Sequence, residues 1–485
     1  MSISIAGPDG HHGRRNVTAS RVVRAATSVL VLAALAVTGL AIGRVVAHEA
    51  PTHRAGQIGV AARAAAPVGA GSATPGSATP AAAAVAAATG PASITALEAK
   101  VTANPNDLAS IQSLGTAYVQ RAVQTGDPAF YDLAGKTLQR ATDLAPDNQR
   151  TMVAKAVLSL SLHDFAGARI LASTVAAAHP RDNNALAALV DAQVELGHYD
   201  DAATTLQQLL DLRPDAAALS RLSYVRELHG DDAGALDAMR EAAVAAAASA
   251  ADEATITTFL GDLQLSGGSL AEADASYTKA LTLVPHLVNA ELGKARVLVA
   301  EGKLSDAGAL LDDTTQRSPQ PAAAILLGEV RVLSGDERSA ADAFALVRAN
   351  EQLLRSAGVT LDLETARFEA EHGDASVAVA AAKVAHDTRQ TIFTADALGW
   401  SLTKAGRAQE ALPYVDEALR LGTTDAALHL HAAVALAATG DAARAIAELQ
   451  RATTRSPWTA PTLRAIAVQL ATSLHVDLPT TWSTR

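Results

Sequence analysis

The chain contains no cysteine, and only 3% of its 485 residues are aromatic. The first absence excludes disulfides, thiol nucleophiles and Cys-ligated zinc. It leaves the compartment open, because a cysteine-free protein is at home on either side of a membrane. The second absence means that alanine and aliphatic side chains carry the 49% hydrophobic content. Alanine loses no side-chain entropy in a helix, and its small bulk lets helices approach closely. Helix is therefore the expectation throughout.

Catalytic motifs are missing too. There is no Gly-x4-Gly-Lys-Ser/Thr phosphate loop, no Gly-x-Ser-x-Gly elbow and no His-Glu-x2-His pair. His429 and His431 stand two apart on an expected helix, so they point to different faces and cannot share a metal. His229 and His372 recur in RELHGD and EAEHGD, where a last-turn histidine interacts favourably with the helix dipole. The expectation is a protein that is not an enzyme, with no cofactor and no metal site.

Positive charge is scarce beyond the first segment. Of 39 Lys and Arg and 50 Asp and Glu, residues 1–63 hold seven arginines with Asp9 and Glu49. The remainder keeps 32 basic and 48 acidic residues, a net of −16. A surface of that sign repels phosphate backbones, so nucleic acid is not the expected partner.

One long apolar run is present, at 25–43, with 19 uncharged residues. At about 1.5 Å per residue it is just long enough to cross a bilayer core. Arg14, Arg15, Arg21 and Arg24 precede it, and the positive-inside rule keeps such a segment in the cytoplasm. This predicts a basic cytoplasmic N-terminus (1–24) and a transmembrane helix or signal anchor (25–43). The rest then lies on the extracytoplasmic side of a single-pass cell-membrane protein. A signal cleaved after Val45-Val46-Ala47 is the alternative, giving an exported chain. Residues 44–92 are rich in Ala, Pro, Gly and Ser, with GSATP at 71–75 and again at 76–80. Such a segment can bury little and is expected to be a disordered linker spanning roughly 35–40 Å.

Self-similarity dominates the remaining sequence. Alanines recur at 134, 168, 202, 235, 273, 307, 340, 378, 411 and 445, in steps of 33, 34 or 38. Seven residues after each comes a second small or apolar residue: Ala141, Val175, Leu209, Ala242, Ala280, Thr314, Val347, Ala385, Ala418 and Ala452. Spacing of seven returns to the same helix face, which predicts one buried stripe. Gly-Asp pairs at 230, 335, 373 and 440 read as turns, the glycine left-handed and the aspartate capping the next helix.

The clearest unit carries Leu260-Gly261, Ala273, Tyr277, Ala280 and Pro285. It resembles the tetratricopeptide repeat. Leu114-Gly115, Leu327-Gly328 and Leu398-Gly399 repeat the first half, and Ala340 with Phe344 repeats the second. The likeness covers 94–458, with 459–485 as a capping helix and tail. It departs at the missing first-helix Trp, at an insertion around residues 121–128, and at an alanine run, 242–251, that lacks the closing proline. The resemblance implies an all-α, TPR-like α-solenoid of about ten helix-turn-helix repeats behind the transmembrane helix and linker. In arrangement the chain also resembles actinobacterial membrane-anchored or exported tetratricopeptide proteins.

The resemblance further implies that the first helix of each repeat lines a concave face. Carried over residue by residue, that face holds Asn184, Asp191, Tyr224, Glu227, Asp262, Asn289, Arg296, Glu329, Arg367, Asp396 and Trp400. Arginine and tryptophan are types enriched at binding hot spots. The expected function is a membrane-tethered scaffold for a protein or peptide outside the cytoplasm. An accessory subunit of an envelope assembly, such as polysaccharide export or secretion, is the alternative, which leaves a glycan open as a second ligand class.

Overall fold

The computed structural model describes residues 91–483. The apolar run at 25–43, the basic segment before it and nearly all of the 44–92 linker lie outside them. Among the described residues no helix is long and apolar enough to cross a membrane.

Within the described residues, helix α1 (Pro91–Ala103) precedes ten antiparallel pairs. The first helices are α2 (Leu108–Thr125), α4 (Gln149–Ser161), α6 (Asn183–Glu195), α8 (Ala216–Leu228), α10 (Ala250–Ser266), α12 (Val288–Ala300), α14 (Pro321–Leu333), α16 (Asp362–His372), α18 (Ile392–Lys404) and α20 (Ala426–Ala438). Their partners are α3 (Ala129–Leu144), α5 (Phe165–Ala178), α7 (Tyr199–Leu212), α9 (Asp232–Ala245), α11 (Leu270–Leu283), α13 (Leu304–Arg317), α15 (Glu337–Ser356), α17 (Ala375–Thr388), α19 (Ala408–Ala418) and α21 (Ala442–Ala452). Two closing helices come last, α22 (Leu463–Leu474) and α23 (Thr480–Ser483).

The alanine ladder lies on the second helices, and no rung is more than 2% exposed. The residues seven positions on are buried as well, Thr314 included, whose hydroxyl donates to Glu291 Oε2 at 2.8 Å. The first 38-residue step is taken up by a 3-10 turn at Ala246–Ala248, and the second by the 20-residue helix α15. The insertion near 121–128 lengthens α2 to 18 residues.

Three of the four Leu-Gly pairs admit a large side chain of the facing helix: Leu138 at Gly115, Tyr277 at Gly261 and Phe344 at Gly328. Tyr277 is fully buried between Gly261 and Gly293, and its hydroxyl donates to Asp262 at 2.7 Å. A methyl group on Gly293 would come within 2.2 Å of the ring. Gly293→Ala is therefore expected to destabilise by about 1–3 kcal/mol, because a packed ring cannot yield as a flexible chain can. Urea unfolding checks this; a loss no larger than that of Gly135→Ala, where a Cβ would meet only Leu158 Cδ2 at 4.0 Å, would mean the ring moves freely.

Three of the four Gly-Asp turns take the expected form. Gly230, Gly335 and Gly440 have φ of 75°, 75° and 89°, and Asp231, Asp336 and Asp441 cap the next helix. Gly373 does not: its φ is −144°. Its Cα instead lies against the Glu369 carboxylate, which a Cβ there would displace.

A solenoid ordinarily contacts only its neighbouring repeats. This one is wound tightly enough for successive turns of the superhelix to touch. Ser318 Oγ donates to the Thr125 carbonyl at 3.2 Å, and the Thr360 amide to that of Leu162 at 3.1 Å. The His163 ring meets the Thr360 carbonyl at 2.7 Å. Arg389 pairs with Glu195 at 2.6 Å, and Tyr199 Oη accepts from the Ile392 amide at 3.1 Å. Thr424 and Arg455 both bind Asp232, and the Ser456 amide donates to the Ser266 carbonyl at 2.9 Å. The side-chain links join residues 189–223 apart, roughly six repeats. They form a seam that closes the coil on itself. At this seam His163 adopts φ 61° in a position that other repeats give to glycine, and its buried ring reaches across.

The C-terminal segment completes the closure. Residues Pro457–Thr459 dock against α10 and α12, and Trp458 packs beside Leu311 and Leu265 of the earlier turn's core. Beyond α22 the chain folds back so that Trp482 is fully buried.

Candidate functional site

All eleven expected positions lie on the first helices of their repeats. Packing against neighbouring repeats decides what several of them do. Asn184 is exposed and Asn289 half-buried. Asp191 is buried and held bidentately by Arg221, with Nε–Oδ1 of 2.8 Å and Nη2–Oδ2 of 2.5 Å. Burial pushes its carboxyl above the ordinary value, and Arg221 offsets this only in part. Tyr224 is buried on α8, and its pKa lies well above the usual value for the same reason.

Two further acids are half-buried. Burial raises Glu227 to about 7, with Asp425 adding repulsion and Arg455 opposing it. Burial raises Asp262 to about 6, opposed by Arg296 and by the Tyr277 hydroxyl. Arg296 Nε is itself buried without a hydrogen-bond partner. Arg367 lies over the Phe393 ring, 5.3 Å from its centroid.

The remaining three expected residues belong to one connected region. Asp396 accepts from His431 Nδ1 at 2.9 Å, and His431 Nε2 faces Glu371 Oε1 at 3.6 Å. Trp400, 4% exposed, stacks on His431 at 4.2 Å and donates its indole N–H to Glu371 at 2.7 Å. The Trp400 ring is thus packed inside the wall. Beside it opens a pocket of about 560 Å³, lined by Glu329, Phe344, Glu371, His372 and Lys404 among others. Glu329 meets His372 Nε2 at 3.2 Å, and the His372 ring stacks on Phe344 at 4.4 Å.

Position-by-position carry-over reached Glu329, Trp400 and Asp396 and missed Glu371, Lys404 and His431. The signal for the last was the pair His429 and His431. They do face apart, His429 toward Glu448 and Thr423, His431 toward Asp396. A second pocket, of about 530 Å³, lies on the seam, where Arg389 and Arg420 are already paired with Glu195 and Glu417. Ligand atoms of His286, Glu291 and Asp313 come within 4.8 Å of one another, but Arg317 pairs with both carboxylates.

His431 makes the region pH-dependent. Burial opposes the imidazolium, but the charges and hydrogen bonds of Asp396 and Glu371 more than reverse this and raise it to about 9. A raised histidine stabilises fully below its unfolded value near 6.5, and the contribution is lost as pH rises through about 9. The size is on the order of 3 kcal/mol. The melting temperature of the native chain should therefore fall more steeply from pH 7 to 10 than that of His431→Gln. Parallel curves would show that the imidazolium is not stabilised.

The tetratricopeptide-repeat family matches this chain at residues 187–251 and 397–459. No curated protein matches it. Among solved structures it is similar to a thermophilic tetratricopeptide protein of Thermus thermophilus, with 24% identity over 38% of this chain and 99% of that one, TM-score 0.34. Yeast Tom70 shows 13% identity over 74% and 96%, TM-score 0.31. A human IFIT1 dimer with m7Gppp-AAAA shows 14% over 68% and 86%, TM-score 0.42. The two matched segments are of tetratricopeptide type, and the described residues form an all-helical, tetratricopeptide-like solenoid.

Proposed function

We propose that the chain is a membrane-tethered scaffold whose repeats hold a protein or peptide partner outside the cytoplasm. Tetratricopeptide repeats generally serve as binding surfaces, because stacked helix pairs expose an extended face without needing to rearrange. One observation carries the reading here: the pocket lined by residues of α14 to α18, in which hydrogen bonds hold Glu371 and Glu329 before any partner arrives. Asp191, Tyr224, Asp396 and Trp400 are buried, so a partner does not lie along the whole inner face of the closed coil. It enters where that face stays open. The tether rests on the arginines at 14–24, the uncharged run at 25–43 and the linker after it.

Two measurements test this. An export-dependent reporter fused after Arg485 should be active, and alkaline washing should leave the chain in the membrane. Proximity labelling by the full chain in its native envelope should enrich a protein that is lost with Glu329→Gln/Glu371→Gln. An inactive reporter sinks the topology; labelling indifferent to the double change sinks the pocket as the capture site.

A further inference from the structure

The partner's chemistry is legible in the pocket. We propose that it receives an arginine side chain, an inference that rests on the scaffold reading above.

Glu371 is a fixed acceptor. Its Oε1 receives the Trp400 indole N–H at 2.7 Å and faces His431, which hold the carboxylate in one orientation. Its Oε2 meets Lys404 Nζ at 4.0 Å, beyond hydrogen-bond distance, where both residues line the pocket. A second carboxylate, Glu329, lines the same pocket from α14. The stacked aromatic pair Phe344 and His372 belongs to the same lining. Two carboxylates beside an aromatic plane match a guanidinium, which donates as a rigid fork and stacks on aromatic faces. An ammonium can sit over a ring but has no planar fork and does not stack flat. The chain's own cation shows the mismatch: Lys404 rests over the Trp400 ring, 5.2 Å from its centroid, and stops short of a hydrogen bond to Glu371 Oε2. Burial alone would raise the Glu371 carboxyl, yet His431, Lys404 and Trp400 bring it below the ordinary value, so it stays ionised. The net −16 of the chain beyond residue 63 draws a basic partner toward it.

The test uses the full chain in detergent and three probes, acetyl-Gly-Arg-Gly-amide and its Lys and Glu counterparts, with binding read by calorimetry. The arginine probe should bind at least tenfold more tightly than the lysine probe, and the glutamate probe not at all. Glu371→Gln should weaken the arginine probe tenfold or more. Lys404→Ala, a change at an exposed side chain, should tighten it several-fold, a gain that misfolding cannot produce. Asp237→Asn changes net charge equally at a distant exposed site and should do nothing. Equal affinity for arginine and lysine, or equal effects of Glu371→Gln and Asp237→Asn, overturns the inference. If the probes fail while partner labelling still depends on Glu329 and Glu371, this inference falls and the scaffold stands. If labelling fails too, the scaffold reading falls with it.

Discussion

Alanine at Gly197 and Gly230 should open the coil, whereas alanine at Gly302 and Gly335 should not. All four glycines occupy the same place in their repeats and share φ between 75° and 79°. Forcing an L-residue into that region costs about 1–2 kcal/mol at each site. The difference lies across the seam. A Cβ on Gly197 would meet the Gln390 carbonyl oxygen at 2.3 Å, and one on Gly230 the Gly422 carbonyl oxygen at 2.3 Å. At Gly302 and Gly335 it meets nothing within 4 Å. The seam pair should therefore lose an additional 1–3 kcal/mol or so per site, because the two turns must separate. Separation also strains the Arg389–Glu195 and Arg455–Asp232 pairs. Small-angle scattering should show a larger radius of gyration for the seam variant and an unchanged one for the control. Equal losses with equal radii would mean that the turns touch without holding each other.

The second large effect is expected at Trp482. Its ring is fully buried among Ala426, Leu430, Leu463 and Ala467, and its indole N–H donates to the Arg455 carbonyl at 2.9 Å. Arg464 Nε donates in return to the Trp482 carbonyl at 3.2 Å. Trp482→Ala should cost about 3–5 kcal/mol through the cavity it leaves. The effect should spread, since Arg455 also binds Asp232 and, at 2.9 Å, Ser266 Oγ on the other side of the seam. Urea unfolding of Trp482→Ala, Gly230→Ala and the double variant should give a coupling of about 0.5–3 kcal/mol. A loss below about 1 kcal/mol, far under the usual cost of emptying a tryptophan site, would show that residues 475–483 are an appendage and not a cap.

Legibility in the sequence tracked locality. The alanine rungs and their partners seven residues on were readable because each is fixed by contact within one helix pair, and that contact admits only small side chains. Asp231, Asp336 and Asp441 were readable as caps because a cap and its amide lie three residues apart. Trp400 was read correctly as a first-helix residue, but not as one packed against His431 and Glu371. Those partners lie on adjacent repeats, and the curvature that brings them together is a sum of small rotations no single repeat encodes.

The sequence by itself determined the repeat, its two helices, the alanine contacts between them and the acidic balance of the whole, because these depend on spacings within a single repeat or on composition alone. Only the tertiary structure decided that the coil closes. The seam joins turn to turn largely through backbone carbonyls, amides and side chains such as His163 and Arg389 that repeat at no fixed period. Their meeting depends on the pitch of the superhelix, whereas the stacking of neighbouring repeats decides which first-helix residues are buried in pairs and which line the pocket beside α14 to α18.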